Sequence, residues 1–271
     1  MREWERRMWV TVIALSAAVA CVAVALTLVI THVLAPLVLR HAEHFPALAA
    51  VPKVTKNAKG IEGDPVNVAL IGSDSDVAHA FRAAHWVQAA PLTRASSIGI
   101  AKSVLFNRPD STAPVSPLYL FSRQQDMAWE REINLSARQR HHVRLWRVAN
   151  LAYAGRPVWI GDATYDLRAG ISHRGLHPTH HISPDIDQER DTLTGNFIDA
   201  GRVLARFHVT GIGIRVDARN AEGDRYDTDG EIQALVLSQD DTRHPAPPPQ
   251  KDPPLVALKD RLWAWAHRHY H

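Results

Sequence analysis

The side chains with the most chemical capacity fall in three short segments. Arg138 to Arg147 (RQRHHVRLWR) carries six cationic or titratable residues among ten, interleaved with Val143, Leu145 and Trp146. Read as a strand, its alternate residues face opposite ways, so His142, Arg144 and Trp146 share one face while His141, Val143 and Leu145 share the other. The basic groups therefore form no continuous patch, and the plain alternative is a strand with a packed side and a solvated side. In Arg156 to Asp166 (RPVWIGDATYD) the same alternation sets Val158, Ile160, Asp162, Thr164 and Asp166 against Trp159, Ala163 and Tyr165. In Ser122 to Glu132 (SRQQDMAWERE) it sets Arg123, Gln125 and Met127 against Gln124, Asp126 and Ala128. A site forms if Arg123 or Asp126, His142, Arg144 and Asp162 meet on neighbouring strands, which is a matter of register. Its chemistry would be anion binding by arginine forks, with His142 or His181 as acid–base. The binding candidates are Arg123, Asp126, Arg140, Arg144, Trp146, Asp187 and Arg190, and the weaker catalytic candidates are His142, His181 and Asp162.

Thr179 to Asp191 (THHISPDIDQERD) is the densest run of metal-type or acid–base groups. Histidine and carboxylate suit zinc or manganese, but neither HExxH nor paired CxxC is present, so no metal site is assigned and no cofactor is named. Acids in a first helical turn complement the helix dipole, and Asp187 with Arg190 is an ordinary i,i+3 pair. Tyr226 to Glu231 (YDTDGE) opens like a calcium loop, yet the twelfth position is Ser238, so a tight turn into a strand is expected. No phosphate-cradling loop and no GxSxG elbow occurs.

The positioning elements follow from periodicity. Val66 to Ile71 reads as a buried strand, followed by a helix capped by Ser73 or Asp74 and running through Gln88 with Val77, Phe81 and Ala84 on one face. A second helix is expected over Thr93 to Phe106. Strands are expected over Leu118 to Glu132, Arg140 to Val148, Pro157 to Ala169 and Glu231 to Ser238. Between the last two, Ser183 is the expected N-cap, Pro184 the first helical residue and Gly201 the stop. This order implies an α+β domain with a mixed or mainly antiparallel sheet and flanking helices.

One N-terminal transmembrane helix precedes that domain. From Met8 to Leu39 there is no Asp, Glu, Lys or Arg, and a bilayer needs only about 20 apolar residues. The run is about twice the length of a secretory apolar core, which favours an uncleaved anchor over a signal peptide cut near Ala49. Residues 1–8 are then a cytosolic tail, 9–39 the anchor, 40–63 a tether and 64–240 the domain. A Pro-rich spacer over 241–254 leads to an amphipathic helix over 255–271 whose Leu255, Leu258, Leu262 and Trp265 share a face. That helix either docks on the domain or a partner, or lies in the headgroup layer. Arg6 and Arg7 beside the anchor place the domain on the exported side, the periplasm in a bacterial envelope. The formal charge of +3 comes from 31 basic and 28 acidic residues mixed along the chain, which excludes a one-sided nucleic-acid footprint. The single Cys21 lies in the anchor, so the soluble part forms no disulfide.

The ordered set SRQQDMAWERE, RQRHHVRLWR, GRPVWIGDATYD, THHISPDIDQERD and YDTDGE resembles the LssY-type C-terminal domain family over roughly residues 64–240. The resemblance implies a bacterial, membrane-associated domain that longer members join to lipid-phosphatase modules of the PAP2 type, and it carries over no catalytic position. The leading expectation is a single-pass envelope protein whose domain binds a ligand or partner near the membrane, a lipid headgroup or an envelope protein. The alternatives are a hydrolase or transferase acting on anionic lipid or glycan headgroups, and an assembly component of a transport or secretion system.

Overall fold

The computed structural model describes residues 3–89, 115–133, 136–174 and 178–270. In chain order the helices are α1 (Glu3–Val29), α2 (Ala35–Ala42), α3 (Pro46–Ala49), α4 (Asp74–Ala83), α5 (Ile186–Asp199) and α6 (Pro254–Tyr270), and a π-helical turn (Ile30–Leu34) joins α1 to α2. The strands are β1 (Val54–Lys56), β2 (Glu62–Pro65), β3 (Val68–Ile71), β4 (Val87–Gln88), β5 (Tyr119–Leu120), β6 (Arg123–Gln124), β7 (Met127–Ile133), β8 (Ser136–Tyr153), β9 (Arg156–Ile171), β10 (Pro178–Ile182), β11 (Val203–Thr210), β12 (Arg215–Arg219), β13 (Arg225–Thr228) and β14 (Glu231–Leu237).

Arg6–Ala42 forms one continuous helical rod, long and apolar enough to cross a membrane. Its polar side chains bond inside the rod: Thr31 Oγ1 donates to Thr27 O at 2.7 Å, and His32 Nδ1 lies 3.2 Å from Leu28 O. This is the arrangement hydrocarbon demands. Pro36 has no N–H and its ring displaces the carbonyl one turn back, and just before it the ladder widens, Ala35 N–H donating to Ile30 O.

The domain is α+β. Its main sheet is eight-stranded in the order β11-β14-β3-β9-β8-β7-β4, with β10 added beside β9. Only the β14–β3 pairing in it is parallel. The hairpin β8–β9 is its spine, closed by the two-residue turn Ala154-Gly155 with φ of 49° and 77°. Positive φ at both positions matches the right-handed twist of the strands. One face of the sheet packs Val143, Leu145, Trp159 and Ala163 against Phe81 of α4 and Leu193 and Phe197 of α5. The other packs Trp146, Val158 and Ile160 with Phe45 and Leu48, next to α2. Both alternations expected for β8 and β9 hold.

Several local expectations are corrected. The tether expected over 40–63 is folded onto the domain: Leu48 is fully buried and β1 pairs with β2. These elements are three or four residues long, too short to show a period. Helix α4 takes the Ser73 cap with a reciprocal Asp76 bond. It stops at Ala83 rather than Gln88, because His85 at φ 61° reverses the chain and turns Trp86 into the core. Helix α5 begins two residues later than expected. Asp185, not Ser183, is the N-cap, accepting from Gln188 N, while the Pro184 carbonyl accepts from Asp227 N. Strand β10 uses the His180-His181 segment, where no strand is expected. The Pro-rich segment lies along the edge strand β11, Gln250 N–H donating to Arg206 O at 3.0 Å, so it covers an otherwise open sheet edge. The helix expected over Thr93 to Phe106 lies outside the described residues.

At Gly161, β3, β8 and β9 come close together. A Cβ at that position would lie 2.3 Å from the Arg144 carbonyl oxygen and 2.7 Å from a Leu145 methyl. Gly161→Ala therefore lowers stability by about 1–3 kcal/mol through backbone overpacking, measured by urea unfolding of the detergent-solubilised chain. A midpoint equal to that of the unsubstituted chain refutes this account of the spine.

Candidate functional site

The β8–β9 register pairs Arg140 with Asp166, His142 with Thr164 and Arg144 with Asp162. Strand β7 sets Glu130 opposite His142. Directly opposed residues share a sheet face, so this charged ladder continues the face that holds Trp146 and Ile160 in the core. Apolar pairing gives way to ionic pairing at one step, between Trp146–Ile160 and Arg144–Asp162.

The contacts are close and buried. Arg140 Nε donates to Asp166 Oδ2 at 3.1 Å and its Nη1 to Glu130 Oε2 at 2.6 Å. Arg144 Nη1 donates to Asp162 Oδ2 at 2.8 Å and stands 3.5 Å from Asp64 Oδ2, while its Nε donates to Ser116 O at 2.8 Å. His142 Nε2 lies 2.7 Å from the Thr164 hydroxyl oxygen, and its Nδ1 lies 3.4 Å from Asp166 Oδ2. Asn220 Nδ2 donates to Asp64 Oδ1 at 3.0 Å. Glu130, Arg140, His142, Arg144, Asp162 and Asp166 are all buried, Asp162 completely.

Burial at this density polarises the groups. It pushes the Asp162 carboxyl up to about 7, with the Asp64 charge adding to the effect and Arg144 opposing it. Burial also works against the ionised form of Asp166, yet His142, His180 and Arg140 hold its carboxyl well below the usual carboxylate range. His142 is itself pushed down by burial, against the pull of Asp166 and helped by Arg144 and Arg140. At neutral pH its imidazole is therefore uncharged, and the Arg140 guanidinium is the lasting charge that keeps Asp166 ionised. Desolvation makes such an array a poor stabilising device compared with apolar packing, and strongly shifted groups of this kind cluster at functional sites, though structural ion-pair networks shift them too.

The ladder floors a cleft of about 90 Å³, lined by Asp64, Arg140, His142, Arg144, Asp166 and His180, bordered by β10 and roofed by the Asn220–Glu222 loop. Its position in the fold follows from register. Val68 lies opposite both Gln233 and Gly161, so Asp162 to Asp166 runs past β3 to the level of Glu231. There Lys259 of α6 bonds Glu231 at 3.1 Å, and Glu43, just after α2, accepts from Thr210 N at 3.4 Å. The cleft is thus on the sheet face that carries Phe45 and Leu48, toward the end at which α2 and α6 attach.

Of the sequence candidates, Arg140, His142, Arg144 and Asp162 come together. Arg123 and Asp126 do not join them: they pair with each other, and Arg123 also donates to Arg147 O at 2.6 Å, beside an open groove at the other end of β8. Trp146 is core, its Nε1 donating to Arg123 O. His181 turns away from the ladder to Asp224, and it is His180 that lines the cleft. Asp187 and Arg190 form a clamp: Arg190 grips both oxygens of Asp229 at 2.7 and 3.0 Å, and Asp187 accepts from Thr228 Oγ1 and Asp229 N. That clamp fixes the YDTDGE turn to α5. The acids Asp64 and Glu130 join the ladder without a signal in the sequence, whereas Glu189 belongs to the Thr179–Asp191 run but lies apart from the ladder. Glu189, pushed up to about 7 by burial against the pull of His141, lies 2.6 Å from His141 Nδ1 on the opposite face of the sheet. For Asp166 the signal was present, since alternation already placed it with Asp162.

Residues 48–232 match the family described as LssY C-terminus, a span that holds the whole ladder and starts at the buried Leu48. No curated protein and no solved structure matches the chain.

The Asp162 shift has a signed consequence. Its folded value of about 7 lies above the unfolded value of 3.8, so between about pH 4 and 7 the native state keeps a proton the unfolded chain has lost, and stability falls as pH rises. Asp162→Asn carries no such proton. Its stability relative to the unsubstituted chain is expected to rise from near zero at pH 4 to a plateau above pH 7, by up to about 4 kcal/mol. A difference flat across unfolding curves from pH 4 to 8 refutes the assignment.

Proposed function

The chain belongs to the LssY C-terminal family, and on that footing we propose that it is a membrane-anchored binding protein whose charged cleft takes up the polar headgroup of a lipid. The observation that carries this reading is a ladder of both charge signs, buried yet facing a cleft, on the sheet face and toward the sheet end that hold the helical attachments. Arg140 and Arg144 are already matched by Asp166, Glu130, Asp162 and Asp64, which disfavours a bare anion. A group with its own positive and negative ends meets carboxylates and guanidiniums in turn, so a zwitterionic headgroup such as phosphoethanolamine fits the lining best.

The attachment supports the same reading. Helix α6 is held to the domain by buried Val256 and by Lys259, which bonds Glu231 and Thr210. Its Leu255, Leu258 and Leu262 remain exposed and face Pro36, Val38 and Leu39 of α2 across an apolar groove of about 790 Å³. Such a face, continuous with the end of a spanning helix, belongs in the headgroup layer. The exported side is favoured by Arg6 and Arg7 next to the anchor.

A second reading keeps its own observation: Asp162, completely buried behind the cleft lining with its carboxyl pushed up to about 7, can hold a proton near neutral pH, as a hydrolase or transferase of headgroups requires.

Native mass spectrometry of the full chain in lipid nanodiscs tests the binding reading. Phosphatidylethanolamine is expected to be retained over phosphatidylglycerol, and Thr179→Trp, which fills the cleft mouth, to lower its retention at least about tenfold. Equal retention of the two lipids, or no effect of the substitution, refutes it. Release of phosphoethanolamine by the unsubstituted chain, lost in Asp162→Asn, would establish the second reading. For orientation, protease added to intact spheroplasts is expected to degrade the domain; protection there, with degradation in inverted vesicles, would reverse the topology.

A further inference from the structure

The two adjacent histidines of β10 serve opposite sides. His180 lines the cleft. His181 meets a separate group, its Nδ1 2.6 Å from Asp224 Oδ1, and His173 Nε2 lies 3.5 Å from that same oxygen. One ligand-type atom from each of His173, His181 and Asp224 lies within 4.8 Å of the other two. We propose that these three residues bind one divalent first-row transition ion, with zinc the favoured occupant, and leave a coordination position open for water.

The donor set points to this class of ion. Two imidazoles and one carboxylate suit zinc and its neighbours, whereas calcium and magnesium select all-oxygen shells. The distances are near those required. Donors about 2.0–2.2 Å from a tetrahedral ion stand roughly 3.3–3.6 Å apart, which the His173–Asp224 pair already meets, and the His181–Asp224 pair needs to open by under about 1 Å. The carboxylate is oriented from behind: Asp224 Oδ2 accepts from Ile182 N at 3.3 Å, and Asp224 N donates to Asn220 Oδ1 at 3.0 Å. Such outer contacts fix ligand geometry.

The backbone makes room for the two rings. A Cβ at Gly170 would lie 2.5 Å from His181 Nε2, and one at Gly223 would lie 2.9 Å from the His173 Cβ. Any larger residue at either place would displace a ligand. His181 and Asp224 are buried, and the His173 side chain is 53% exposed, so the open position faces water.

The ion would also have a mechanical role. Its ligands come from the end of β9, from β10 and from the entry to β13, and His173 N–H donates to Glu222 O at 3.0 Å. Binding would staple the Asn220–Glu222 loop, which roofs the cleft, to the main sheet. The proposal does not rest on what the cleft holds, because its readout is the ion itself.

The test uses the full chain in detergent, stripped with chelator and titrated with zinc against a chromophoric competitor, with cobalt(II) absorption as a report on geometry. One zinc per chain is expected, with cobalt bands of tetrahedral intensity. His173→Ala, at an exposed side chain, and Asp224→Asn are each expected to weaken zinc at least about tenfold, while His85→Asn, at an exposed histidine elsewhere, leaves it unchanged. Should Asp224→Asn fail to fold, His173→Ala decides alone. No stoichiometric zinc, or zinc bound equally well by His173→Ala, overturns the proposal.

Discussion

The arrangement depends on the register of a single long hairpin. The two-residue turn at Ala154-Gly155 closes β8 on β9, an irregularity between Arg147 and Ala152 shifts the pairing, and beyond it Trp146 faces Ile160 and, two residues on, Arg144 faces Asp162. Because strand side chains alternate with a period of two, a slip of one residue would put the arginines and His142 into the apolar layer under α4 and α5. Trp159, Val143, Leu145 and Ala163 on that side make such a slip prohibitive. The apolar face thus holds the ionic one in place.

That coupling explains how the sheet tolerates so much charge on one side. Each guanidinium of the ladder reaches a cross-strand carboxylate and at least one further acceptor: Glu130 for Arg140, and Ser116 O and Asp64 for Arg144. Buried ions need this degree of matching, since an uncompensated one is far more costly than the pair is favourable. The carboxylates still differ sharply from one another. Asp162 is displaced toward neutrality and Asp166 in the opposite direction, although they sit four residues apart on one strand. The difference lies in their neighbours: Asp162 shares Arg144 with a second acid, whereas Asp166 is surrounded by His142, His180 and Arg140.

The joint between the sheet and the helices α2 and α6 is organised by similar local pairings. Lys259 connects α6 to Glu231 at the start of β14, and burial pushes the Glu231 carboxyl up to about 7 against the pull of Lys259, with Asp260 adding to the rise. Lys53, lowered to about 8 by burial against Glu43 and Glu231, completes a compact polar joint between the helices and the sheet. The residues that look like a tether in the sequence belong to this joint.

The sequence by itself determined the α+β class, the apolar N-terminal helix, the strand alternations of β8 and β9 and the capped helix α4. These rest on periodicity and composition within one element. It also carried enough ordered segments for the family to be legible. The short elements between 43 and 65 were illegible because three or four residues show no period, and β10 was hidden because His180 and His181 resemble a loop beside a helix cap. Only tertiary structure decided which charges meet. Arg123 and Arg144 look equivalent in the sequence, yet one pairs with Asp126 near the surface and the other with Asp162 and Asp64 at the core. Likewise, His181 and not His180 finds Asp224, 43 residues away. Periodicity assigns a side chain to a face, but its partner is set by the register between strands and by loops from distant parts of the chain, and that information lies in no single segment.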